Sequence, residues 1–231
     1  MKKVMVVAAH PDDAEFGMGG TIAKMASAGF EVVVVDLSDG EPTPFGSRAV
    51  RQAESKKASE ILGVSERLCL GMANRYIEAT AENRRKLAEV IRLHRPDVLF
   101  GPVGVDYHPD HVQANMLVSG SRFEAKYHKT DMAGEPHWVG RCYRYYSVHR
   151  GFCEGVSFIV DVTEFWGRKI EAVLAYASQL RSVCGGEVCE KIEAMGRYFG
   201  QCAGCMYGEA FLSDEPVVVN RMELLCDGDS V

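Results

Sequence analysis

No run in the 231 residues approaches the roughly 20 consecutive apolar residues of a membrane-spanning helix, so no span is expected. Charge is not segregated either. The 26 Lys and Arg face 32 Asp and Glu, a net of -6, and neither sign gathers into blocks, so the basic stripe of a nucleic-acid surface is missing. Small polar substrates fit such a chain better. There is no linker, no shift of composition and no internal repeat, which points to a single domain over residues 1–231, long enough to bury roughly 70% of the surface exposed on unfolding. Met1-Lys2-Lys3 leads into only about six apolar residues without a small-residue cleavage site, too little for a signal peptide, and the expected location is cytoplasmic. The eight cysteines are then expected as reduced thiols. Among Cys184, Cys189, Cys202 and Cys205, the first pair has a wide spacing and the second lies in a helical pattern. They are therefore read as thiols and not as zinc ligands or a redox pair.

What the sequence does contain is an alternation of apolar strands and amphipathic helices. Residues 4–9 are a β-branched and small apolar run that reads as a buried parallel strand. A glycine-punctuated helix follows from about 17 to 28, then a strand at 31–37, a helix at 48–62 stopped by Gly63, and a short strand at 67–70. Residues 79–94 form a charge-paired helix ended by Pro96, residues 98–101 a strand, and Pro109 opens a helix to about 123. Strands at 143–148 and 157–162, helices at 164–178 and 187–206, and a last strand at 217–219 complete the reading. This βαβα order predicts an α/β fold, a mainly parallel sheet with helices on both faces.

Polar residues crowd into two places, each straight after a strand. The first is His10-Pro11-Asp12-Asp13-Ala14-Glu15 and the second Asp106-Tyr107-His108-Pro109-Asp110-His111. Open α/β sheets bind ligands at the carboxyl ends of their strands, so both clusters can face one crevice. Two imidazoles and a carboxylate are the three-ligand set of a hydrolytic metal site, and His10, Asp13 and His111 are assigned to it. Asp12 then projects beside the ion, placed to take a proton from water whose pKa the ion has lowered. His108 is left to hydrogen-bond an oxyanion, and Asp110 to orient one of the histidines. Two histidine ligands favour Zn²⁺ or Fe²⁺ over Mg²⁺. Taken singly, the first cluster also reads as a proline turn with helix-capping carboxylates, and His108 and His111 of the second as residues that cap and solvate a helix. A dinucleotide loop at Gly17, Gly19 and Gly20 is disfavoured, because the acidic cluster ahead of it would repel a pyrophosphate.

His10-Pro-Asp-Asp-Ala-Glu15 with Asp106-Tyr-His-Pro-Asp-His111 resembles the PIG-L/LmbE-like metal-dependent N-acetylglucosamine deacetylases, especially the bacillithiol-biosynthesis type. The resemblance extends through Gly40-Glu41, Arg51-x-x-Glu54, Tyr145-Tyr146, Val160-Asp-Val-Thr163, Ser178-Gln179 and Tyr207-Gly-Glu-Ala-Phe211. It implies a Rossmann-like three-layer α/β/α sandwich, and zinc ligands at His10, Asp13 and His111. It also implies a general base at Asp12 and an oxyanion-stabilising His108 backed by Asp110. Glu15, Arg51 and Tyr207 match positions expected to line the substrate pocket or help hold the transition state. The implied partner is a small N-acetylglucosaminyl substrate, with neither nucleic acid nor membrane, in a homo-oligomer, often a hexamer. Two other functions compete: a metal- or sugar-binding protein without turnover, which would need neither Asp12 nor His108, and a metal-dependent phosphoester hydrolase.

Overall fold

Strand β1 (Lys3–Ala8) lies parallel between β2 (Glu31–Ser38) and β4 (Val98–Pro102), with Val4 opposite Val32 on one side and Val98 on the other. The computed structural model describes residues 2–148, 155–182 and 185–217. With β3 (Glu66–Met72), β5 (Arg141–Tyr145), β6 (Phe158–Asp161) and β7 (Gly208–Ser213), these strands form a seven-stranded sheet ordered β3-β2-β1-β4-β5-β7-β6. Only β7 runs against its neighbours.

The alternation of side chains along β1 divides the core in two. Met5 and Val7 point to one face, against Leu87 and Ile91 of α3 (Ala81–His94) and Leu117 of α4 (Pro109–Glu124). Val4 and Val6 point to the other. There they meet Ile22 of α1 (Asp13–Ser27), Leu62 of α2 (Arg48–Leu62) and Ala172 of α5 (Trp166–Leu174). Each large aliphatic side chain buried in this way contributes about 1.5–3 kcal/mol. The result is the expected three-layer α/β/α sandwich. No helix among the described residues is long and apolar enough to cross a membrane.

Local signals explain where the helices begin and end. Ser47 caps α2 by accepting the Val50 amide, and Gly63 closes it in the left-handed region at φ 78°. Four expectations need correction. Helix α1 begins at Asp13, not near Gly17, because the acidic side chains suit the positive end of a helix. The long helix expected over 164–178 is a 3₁₀ turn (Thr163–Phe165), α5, and a separate α6 (Ala177–Ser182). Strand β7 lies where only a motif had been noted. Val217 is in no strand, and residues 218 and 219 of the last expected strand are outside the described residues, as is Cys184.

Candidate metal centre and catalytic cleft

The chain reverses its direction of sheet growth at β1: β2 and β3 are laid down on one side, and β4 is then placed on the other. A crevice opens at such a switch point, beyond the carboxyl ends of the two diverging strands. The loop after β1 carries His10 to Asp13 and the loop after β4 carries Asp106 to His111, so the two polar clusters meet because β1 and β4 are neighbours.

Asp13 stands between the two imidazoles. Its Oδ2 is 3.2 Å from His10 Nδ1 and its Oδ1 is 3.1 Å from His111 Nε2. The ligand-type atoms of these three residues lie within 4.8 Å of one another, and all three residues are buried. Each imidazole is held from behind by a carboxylate: His10 Nε2 meets Asp110 Oδ2 at 3.0 Å, and His111 Nδ1 meets Asp106 Oδ2 at 2.9 Å. Carboxylates behind ligating histidines set ring orientation and tautomer, and this donor set fits a divalent ion. His10, His108 and Asp110 also lie within the same reach. That grouping suits an ion less well, since Asp110 already accepts the amides of Arg75 at 2.7 Å and Ile77 at 3.3 Å, while His108 Nδ1 accepts the Asp110 amide at 3.2 Å.

The electrostatics describe a cage made for positive charge. Burial opposes protonation of His10, but Asp110 and Asp13 outweigh it and lift its pKa to about 9. His111 rises to about 10 against the same burial, through Asp13 and Asp106. Asp13 is held well below the usual carboxylate range despite its burial, by His111 and His10. Loading a divalent ion therefore displaces protons from the imidazoles.

Asp12 sits beside this group in an unusual backbone state, φ 123°, which costs an L-residue on the order of 1–3 kcal/mol. It is held there by Arg51, whose Nη1 donates to Asp12 Oδ2 at 2.8 Å. Burial raises the Asp12 pKa to about 6, with the charge on Arg51 restraining the rise. His108 caps α4, and its ring centroid is 4.8 Å from those of both His10 and His111. Burial and the charges on those two rings push its pKa down to about 4, so it is neutral at pH 7. Since Nδ1 accepts an amide, the proton of the neutral ring is on Nε2, which makes that nitrogen the donor of the ring.

Asp12, Asp13, His10, His108 and Arg51 line a cavity of about 370 Å³. Two residues expected to contact substrate are elsewhere. Glu15 is 1% exposed and turned toward the sheet, where it accepts from Arg67 Nη1 at 2.5 Å and from Tyr176 Oη at 3.0 Å. Tyr207 stacks on Trp166 with ring centroids 4.2 Å apart and donates to Glu193 at 2.7 Å. Neither lines the cavity. Sequence reasoning gave no role to Asp106, which belongs to the second cluster and also accepts the His108 amide and the Ser147 hydroxyl. It overlooked Arg75 and Lys191 as well, both at the cavity wall. Glu54 of the Arg51-x-x-Glu54 pair accepts both the amide and the hydroxyl of Ser178, tying α2 to α6.

Asp106→Ala is expected to weaken metal affinity about 10- to 100-fold, as removal of the group behind a ligating histidine does. A chelator-competition titration measures this. Unchanged affinity would mean that Asp106 merely shapes the loop.

The sequence profile of the family PIG-L, described as GlcNAc-PI de-N-acetylase, matches residues 5–120. The chain is 29% identical over 224 residues to the diacetylchitobiose deacetylase of Thermococcus kodakarensis, covering 90% of this chain and 82% of that one. It is 28% identical over 229 residues to the 1D-myo-inositol 2-acetamido-2-deoxy-alpha-D-glucopyranoside deacetylase of Rhodococcus erythropolis, covering 84% and 76%. Among solved structures, the conserved protein TT1542 from Thermus thermophilus superposes with a TM-score of 0.88 at 37% identity, over 95% of this chain and 97% of that one.

Proposed function

The chain belongs to the PIG-L family, and we propose that it is a zinc-dependent hydrolase that removes the N-acetyl group from an N-acetylglucosaminyl conjugate, releasing acetate and a free amine. The observation that carries this reading is that Asp12 and His108 line the same cavity as His10 and Asp13, with His111 buried against Asp13 to complete the three-residue group. A protein that only bound metal or sugar would need neither. An ion at His10, Asp13 and His111 supplies Lewis acidity, polarising the acetyl carbonyl and making water acidic enough to attack near neutral pH. Fe²⁺ suits the same ligands.

The remaining steps fall to side chains. Asp12, with a pKa near 6, is basic enough to take the proton of the attacking water and acidic enough to pass it to the departing nitrogen. Arg51 keeps the Asp12 carboxylate facing the cavity. His108 donates its Nε2 proton in a hydrogen bond to the oxyanion as the carbonyl carbon becomes tetrahedral.

The finer reading is an acidic conjugate, such as N-acetylglucosaminyl malate in bacillithiol biosynthesis. It is supported by Arg75 and Lys191. Both line the cavity, where Arg75 Nη2 donates to the Pro42 carbonyl at 3.1 Å. Cations at a cleft wall favour an anionic group on the ligand. Amine release by zinc-loaded protein from malate, inositol and chitobiose conjugates tests both levels. Malate is expected to be preferred. Equal rates on all three would remove the acidic preference, and phosphate release from phosphorylated conjugates without acetate release would replace the deacetylase.

A further inference from the structure

Helix α1 is broken. At Met18 the backbone leaves the helical region (φ -146°, ψ 26°), two positions before Gly20. In a continuous helix the amides of Gly20 and Thr21 would bond to the carbonyls of Phe16 and Gly17. Here they are met by a side chain from the far end of the chain. The two carboxylate oxygens of Glu209, in β7, accept the Gly20 amide at 3.0 Å and the Thr21 amide at 2.6 Å. Glu209 is 3% exposed, and its charge is matched by Lys169 Nζ from α5 at 2.6 Å. A carboxylate on the unsatisfied amides of a helix start gains from both hydrogen bonding and the helix dipole.

Close packing holds both halves of α1 in place. A Cβ at Gly20 would come within 2.7 Å of Val162, and one at Gly17 within 2.5 Å of the Tyr145 ring. Tyr145 in turn donates to the Val7 carbonyl of β1. The short segment ahead of the break therefore rests on β5, with Asp13 at its first position.

We propose that Glu209 is a positioning residue for the metal centre: by capping the second segment of α1 it sets where the helix breaks, and so how the first segment aims Asp13 at His10 and His111. The inference rests on the metal-site reading but not on the choice of substrate. Capture of the two amides by Glu209 removes their pull on the first segment, about two turns from Asp13, and leaves that segment free to settle on Tyr145. Lys169 makes the buried carboxylate tolerable, since a charge buried without a partner is strongly destabilising.

Glu209→Gln protein, titrated with Zn²⁺ against a chromophoric chelator, is expected to bind roughly tenfold or more weakly than wild type, at the lower end of the losses seen when groups behind metal ligands are removed. The double variant Glu209→Gln, Lys169→Met removes the stranded ammonium. It should recover thermal stability without recovering Zn²⁺ affinity, and it carries the comparison if the single variant does not fold. Wild-type affinity in the folded variant would overturn the proposal and leave Glu209 a purely structural cap. Acetate release by the wild type is assayed separately. Zinc binding without turnover would remove the hydrolase reading and leave this one standing.

Discussion

Asp12→Asn is expected to keep its metal and lose about 10²- to 10⁴-fold in rate, the usual contribution of a positioned general base. Asparagine preserves the shape of the side chain and can still accept the hydrogen bond from Arg51 Nη1, but it cannot take a proton. The pH profile separates this from a packing defect. Burial has raised Asp12 to about 6, and only the deprotonated form is a base, so the wild-type rate should climb as pH rises through that region. A cation bound next to it pulls the value down, which places the acidic limb at or below about 6. In Asp12→Asn that limb should be missing, and the residual rate should grow with pH as hydroxide becomes available. Elemental analysis accompanies the kinetics. Loss of the ion would make Asp12 a ligand and Asp13 the stronger candidate for the base; full rate with full metal would refute the mechanism.

His108→Ala should retain the metal and lose about 10²- to 10³-fold, the effect of removing one oxyanion donor. The same substitution strips the cap from α4, worth about 1 kcal/mol, so a second variant is needed. His108→Ser can still accept the Asp110 amide but is too short to reach a substrate oxygen. If its stability returns while turnover stays low, His108 acts on the reaction. If turnover returns with the cap, the histidine only starts the helix.

How much of this was legible in the sequence depended on how far apart the cooperating residues lie. Helix α2 runs from Arg48 to Leu62 as its pattern predicts, because Ser47 and Gly63 mark its ends from adjacent positions. The two polar clusters were legible for the same reason. Strand β7 was not, since a glutamate inside a short apolar stretch reads as exposed until its partner is known, and Lys169 is 40 residues away. The same limit applies to Glu15. Its match to the family motif implied a substrate contact, but Arg67, which comes 52 residues later, draws it under the sheet end. Arg75 and Lys191 reach the cavity from the loop after β3 and from α7 (Gly185–Ala203), a convergence that no local spacing announces.

The neighbouring placement of β1 and β4 has a consequence for how the molecule comes apart. His10 and Asp110 are 100 positions apart in the chain, and they touch only when β4 has docked against β1. An ion shared by His10, Asp13 and His111 is thus a removable cross-link between the first and second arms of the sheet, closing a loop whose ordering is entropically costly. Because such an ion binds the assembled arms and not the separated ones, free metal at one hundred times its dissociation constant adds about 2.7 kcal/mol to the work of pulling them apart. A cell that withholds the metal would therefore both idle the cleft and loosen the seam beneath it.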